Sequence, residues 1–135
     1  MKRIRLATTA ALCICVPLCN AAKRPQSADV YFRPFEATSI MRLTEQLMVT
    51  SAGSTFHITD NARLARVRSL VDLPCQPSTH QSDDMDLRVP LYFNGKDGRT
   101  PWKASSIDDY DGFNGKMCSM PPTLATALSK EFTGT

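Results

Sequence analysis

The sequence predicts an α+β protein, a small single domain in which a mainly antiparallel sheet carries two or three helices packed on one face, closed by one disulfide. Three observations lead there. Stretches that alternate apolar and polar residues are interspersed with stretches whose apolar residues recur every three or four positions. The clearest alternating stretch runs into Asn-Gly and Asp-Gly turn chemistry and is followed by another, which is the signature of a hairpin. Finally, Cys75 and Cys118 are the only cysteines beyond the first twenty residues, which hold the other three of the chain's five.

That N-terminal stretch reads as a signal peptide over residues 1–21. Lys2, Arg3 and Arg5 form a basic cluster, and the thirteen residues from Leu6 to Leu18 carry no charge. A cationic start, a short apolar run and small residues near Ala21 are the three parts of a secretory leader. The run is shorter than the roughly 20 residues that cross a bilayer, so no stable membrane span is expected. Cleavage is placed after Ala21, with Cys19 at the third position before the cut. The residues preceding Cys13, Cys15 and Cys19 are Leu12, Ile14 and Leu18, none of them the small residue that lipid attachment favours. The basic cluster has a bacterial character, and the expected destination is periplasmic or secreted.

Subtracting the leader changes the charge balance. The chain has 16 basic and 13 acidic residues, and with three basic ones in the leader the remainder holds 13 of each. Its basic isoelectric point therefore belongs to the targeting segment, and a nucleic-acid partner is not expected. The same subtraction leaves Cys75 and Cys118 as an even pair in an oxidising compartment, hence a disulfide.

Residues 22–28 read as a flexible lead-in and 29–135 as the single α+β domain. Val30 and Phe32 start a strand that Pro34 ends. Ile40, Leu43 and Leu47 share a helical face over 39–49. Thr55, His57 and Thr59 alternate with Phe56 and Ile58 as a half-buried strand. Thr59 or Asp60 can cap the following helix, whose stripe is Leu64, Val67, Leu70 and Val71 and which Pro74 stops. After a polar loop, Leu87, Val89, Leu91 and Phe93 alternate with Arg88, Pro90, Tyr92 and Asn94. Pro90 places that strand at a sheet edge, since proline cannot donate to a ladder. The turn at NGKDG returns the chain through Thr100, Trp102 and Ala104. The tetrad FNGK occurs at 93–96 and again at 113–116, and since nothing flanking the copies matches it is reused turn chemistry, not a repeat. Met117 and Cys118 form a last short strand, and Leu124, Leu128 and Phe132 line a helix from Pro121 to Phe132.

Chemistry-bearing motifs do not emerge. The segment around Asp108, Asp109, Asp111 and Gly112 fails the EF-hand pattern, because placing Gly112 sixth puts Ile107 first and Cys118 twelfth. There is no GxSxG elbow, no SxxK pair and no glycine-rich phosphate loop, so neither catalytic residues nor a cofactor is assigned. The expected function is that of a small exported binding protein acting by protein–protein contact, such as an inhibitor, an immunity factor or an accessory subunit of an envelope assembly. Tyr92 and Tyr110 are its candidate contact aromatics together with Trp102, although core packing is the favoured role of Trp102. Arg63 and Arg66 are candidate contact cations on the middle helix. The alternative is a small secreted hydrolase or metal-dependent enzyme using His57, His80 and the Asp108–Asp111 loop. It requires those side chains to converge in one cleft.

Overall fold

A computed structural model describes residues 25–39, 41–51, 53–79, 85–106, 109–113 and 115–134. Among them the chain forms six strands and three helices in the order β1 (Ser27–Phe32), α1 (Glu45–Ser51), β2 (Ser54–Ile58), α2 (Asn61–Val71), β3 (Leu87–Gly95), β4 (Gly98–Ser105), β5 (Asp109–Asp111), β6 (Met117–Ser119) and α3 (Pro122–Thr133). The strands build one antiparallel sheet in the order β2-β1-β3-β4-β5-β6. The protein is thus a small single-domain α+β fold with a Cys75–Cys118 disulfide. The proposed leader, residues 1–21, lies outside the described residues.

Alternation along β1 sends Ala28, Val30 and Phe32 into the main core and leaves Asp29 and Tyr31 on the other face. The lead-in expected over 22–28 is therefore shorter than its composition suggests: Ser27 and Ala28 are already in the sheet, and Ala28 is fully buried. The main core is completed by Ile58, by Val89, Leu91 and Phe93 of β3, by Trp102 and Ala104 of β4, and by the stripes Leu64–Val67–Val71 of α2 and Leu124–Leu128–Phe132 of α3. A smaller cluster of Leu43, Met48, Met85 and Leu87, with Tyr31 against it, lies on the opposite face under α1. The two longer helices thus share one face and the seven-residue α1 sits on the other.

A register shift between Leu87 and Val89 explains how one strand serves both clusters. A bulge re-aims the side chains on either side of it, so Leu87 joins the small cluster while Val89 joins the main one. Arg88 sits at the shift and is buried, 3 % exposed. Its guanidinium donates to the carbonyls of Leu87 and Ala37 at 3.0 and 2.8 Å and pairs with Asp86 at 3.0 Å, which fastens the loop after β1 to the sheet.

Placing β3 at an edge is corrected by the sheet order: it lies between β1 and β4. The proline is tolerated because the β1–β3 ladder ends at Val30↔Leu91, one residue before Pro90, which pairs only with Lys103 of β4. The helix expected over 39–49 forms later, as Glu45–Ser51, and Leu43 is held in the preceding loop by hydrogen bonds to Asp86 and Leu87. β5 falls inside a segment read as loop, because three residues carry no period to recognise.

Asp60 caps α2 by accepting from the Arg63 N–H at 2.8 Å. An Asp60→Ala variant is expected to lose about 1 kcal/mol, the usual cost of an N-cap. Urea unfolding checks this, and a change below about 0.3 kcal/mol would show that the cap does not matter.

Candidate functional site

The sheet's two edges are treated differently. At β6 the outer side is covered by the segment just after Cys75: Pro77 bridges to Cys118, Ser78 N–H donates to the Met117 carbonyl at 3.0 Å, and Ser119 N–H to the Gln76 carbonyl at 2.7 Å. The disulfide fastens that cover to the strand. At β2, among the described residues, no strand or loop pairs with the outer side. Every second residue of an antiparallel edge turns its N–H and C=O away from the sheet, so β2 turns outward backbone groups that no strand or loop among the described residues pairs with.

β2 reads Ser-Thr-Phe-His-Ile with Ser54, Thr55 and His57 exposed, Phe56 half-buried and Ile58 buried. Its two faces differ. On the helical face Phe56 packs on Phe132 with ring centroids 5.3 Å apart, and the Arg63 guanidinium lies over Phe56 at 5.3 Å and over Phe132 at 5.9 Å. On the other face His57 stands opposite Asp29 of β1, and that register brings His57 Nδ1 to 2.6 Å from Asp29 Oδ1.

Asp29 is the hub of a polar network. Its second oxygen accepts from Asn94 Nδ2 at 3.0 Å and faces Arg99 at 3.7 Å. Burial acts to raise the Asp29 carboxyl, but hydrogen bonds with His57 and Asn94, with the charges of His57 and Arg99, hold it below its ordinary value. Arg99 also stacks over the Tyr92 ring at 4.0 Å. The Tyr92 hydroxyl donates to Glu45 of α1, which also binds Lys103 at 2.7 Å. Burial, then the contact with Glu45, pushes the Tyr92 phenol well above its usual range.

The candidate contact residues take other places. Tyr92 and Tyr110 are 6 % and 2 % exposed, and Trp102 is fully buried with Tyr110 stacked on it at 5.4 Å. The two tyrosines are therefore core residues and not exposed anchors, because β3 and β5 are interior strands. Arg63 and Arg66 both bind Glu131 of α3, at 3.0 and 2.8 Å. They tie the two helices together.

The residues of the alternative site do not gather round His57. His80 and Asp108 lie outside the described residues. Asp109 and Asp111 are on β5, four strand spacings from His57 on β2, or about 19 Å at the usual separation. Asp109 accepts from Ser78 Oγ at 2.7 Å. Asp111 has a buried oxygen with no hydrogen-bond partner among the described residues, and burial pushes its carboxyl up despite the opposing charge of Lys103. Among the described residues no three His, Cys, Asp or Glu side chains are placed to hold a metal ion, and no helix is long and apolar enough to cross a membrane.

The Asp29–His57 pair escaped sequence reasoning, since the partners are 28 positions apart and meet only through the β1–β2 register. The alternation of residues 55–59 was visible, but nothing local distinguishes an edge strand from its neighbour.

Carboxylate pairing fixes the response to acid. Asp29, Glu45, Asp86 and Glu131 are all held below their ordinary values of 3.8 and 4.5; hydrogen bonds from Lys103 and Arg66 are the largest causes for Glu45 and Glu131. A depressed carboxyl stabilises the fold fully above its unfolded value, and that contribution is lost as pH falls through the folded value. Asp111, raised, acts with the opposite sign, but it is one group against four. The thermal midpoint should fall steadily from pH 5 to pH 2, and a Glu131→Gln variant should fall less steeply. A flat profile over that range would contradict these pairings. No family model, curated protein or solved structure matches this chain.

Proposed function

We propose that this chain is an exported binding protein, delivered to the periplasm or secreted by its N-terminal leader, that works by protein–protein contact through the open edge of β2. One contrast carries the reading: the β6 edge is covered by a disulfide-fastened segment, while the β2 edge has no cover among the described residues. An exposed edge accepts an extended segment of a partner by main-chain hydrogen bonding, with flanking side chains giving selectivity. Phe56 with Arg63 on one face and Thr55 with His57 on the other are those flanking groups.

The test is capture from envelope extract with tagged protein as bait. Recovery of one protein in stoichiometric amount, either another protein or untagged copies of the chain, supports the reading if a Thr55→Lys variant fails to recover it. A charge on an edge strand opposes pairing, and Thr55 is exposed, so the fold should tolerate the change. Recovery of nothing in stoichiometric amount would count against the proposal.

A second reading, a small secreted hydrolase, is favoured by one observation: His57 has an orienting carboxylate in Asp29. Such a carboxylate fixes the tautomer of a general base. Loss of a measured hydrolytic activity in both His57→Ala and Asp29→Asn would support it.

A further inference from the structure

The sequence of β2 suits one particular occupant. Natural edge strands are kept apart by lysines, prolines, bulges or inward charges. β2 has none of these: residues 54–58 hold no Lys, Arg, Asp, Glu or Pro, and the β1–β2 register runs unbroken from Ala28↔Ile58 to Phe32↔Ser54. Such a strand can pair with a copy of itself, because His57, its one ionisable side chain, is matched by Asp29 of the same copy. The charges behind it are settled within each copy, because Arg63 and Arg66 share Glu131 and Asp60 lies near enough to act on Arg66.

We propose that the occupant of the β2 edge is a second copy of this chain, paired antiparallel about a two-fold axis at Phe56. This rests on the reading of β2 as the docking edge. Centring on Phe56 uses the whole strand, with Ser54 opposite Ile58, Thr55 opposite His57 and Phe56 opposite itself. Centring on His57 would set two imidazoles against each other, and centring on Thr55 would pair His57 with Gly53. In the Phe56 register the two Phe56 rings meet on the helical face, where aromatic cross-strand pairs are favourable. On the other face His57 Nδ1 is taken by Asp29, which leaves Nε2 for the Thr55 hydroxyl of the second copy, twice over by symmetry. The interface is isologous and closed. It joins two six-stranded sheets into one, with α2 and α3 of both copies on the same face.

Sedimentation equilibrium of the purified protein from about 10 µM to about 1 mM, the range in which small interfaces associate, should show monomer passing to dimer. Thr55→Lys should weaken association at least about tenfold without moving the thermal midpoint of the dilute monomer, at about 10 µM, where association adds no stability. Register is tested separately by mixing Thr55→Cys and His57→Cys proteins, since directly opposed residues bring their Cβ atoms to about 5 Å. The mixed disulfide should form in preference to either homodimer. Persistent monomer, a dimer indifferent to Thr55→Lys, or preferential 55–55 or 57–57 linkage would each overturn the proposal. If the chain stays monomeric yet captures a different protein through β2, self-pairing fails and the docking edge stands. If it neither associates nor captures anything, both fail.

Discussion

A Trp102→Ala variant is expected to lose about 3 to 5 kcal/mol of stability, the usual cost of truncating a buried tryptophan. Domains of this size have about 5 to 15 kcal/mol in total, so a large part of the population should be unfolded under mild denaturant. Trp102 is fully buried, faces Leu91 across the β3–β4 register and stacks on Tyr110 of β5 with planes inclined by 27°. Its removal leaves a cavity bounded by strands that cannot collapse inward without breaking ladder bonds. Trp102→Phe should be milder, for a reason peculiar to this site. The indole Nε1 is buried with no hydrogen-bond partner among the described residues, and an unmet buried donor carries its own cost of about 1 to 3 kcal/mol. Phenylalanine removes that donor while keeping most of the ring. Trp102 is the only tryptophan, so circular dichroism in guanidinium, and not fluorescence, is the suitable probe. Equal losses for the two variants would refute the account.

Removing the disulfide should have an effect of similar size. Closing the 43-residue separation between Cys75 and Cys118 restricts the unfolded chain by about 4 kcal/mol on the loop-closure estimate. With about 4 °C of midpoint per kcal/mol for a domain near this size, a Cys75→Ala/Cys118→Ala protein should melt about 15 °C lower. Alanine is preferred to serine because Cys118 is 1 % exposed, and a hydroxyl there would be buried. The loss should also be felt locally. The bonds from Ser78 to Met117 and from Ser119 to Gln76 depend on the tether, so their amides should exchange faster than those of the β3–β4 hairpin. A midpoint lowered by less than about 5 °C would mean that the cover over β6 is held by its hydrogen bonds alone.

Much of this fold was readable before any coordinates. The alternation of Leu87, Val89, Leu91 and Phe93, the turn at Lys96 and Asp97, and the stripes of α2 and α3 appear where periodicity put them. The start of α2 was legible too, since Asp60, one of its two expected caps, is the N-cap. The candidate site was far less legible. Tyr92, Tyr110, Arg63 and Arg66 have the chemistry of contact residues, yet the first two are core and the last two bind Glu131. Residue type alone cannot separate an aromatic anchor from an aromatic core residue.

The chain's own order of residues settled the periods, the turns and the presence of a lone cysteine pair beyond the first twenty residues, because each depends on neighbours within a few positions or on a simple count. Beyond the β3–β4 hairpin, it left open which strands would be neighbours. That is decided by long-range packing: β1 inserts between β2 and β3, which buries the strand holding Pro90, places Asp29 beside His57 and leaves β2 at one end of the sheet. Strand order has no local signature, since the same alternating segment satisfies its core face equally well at the centre of a sheet or at its rim.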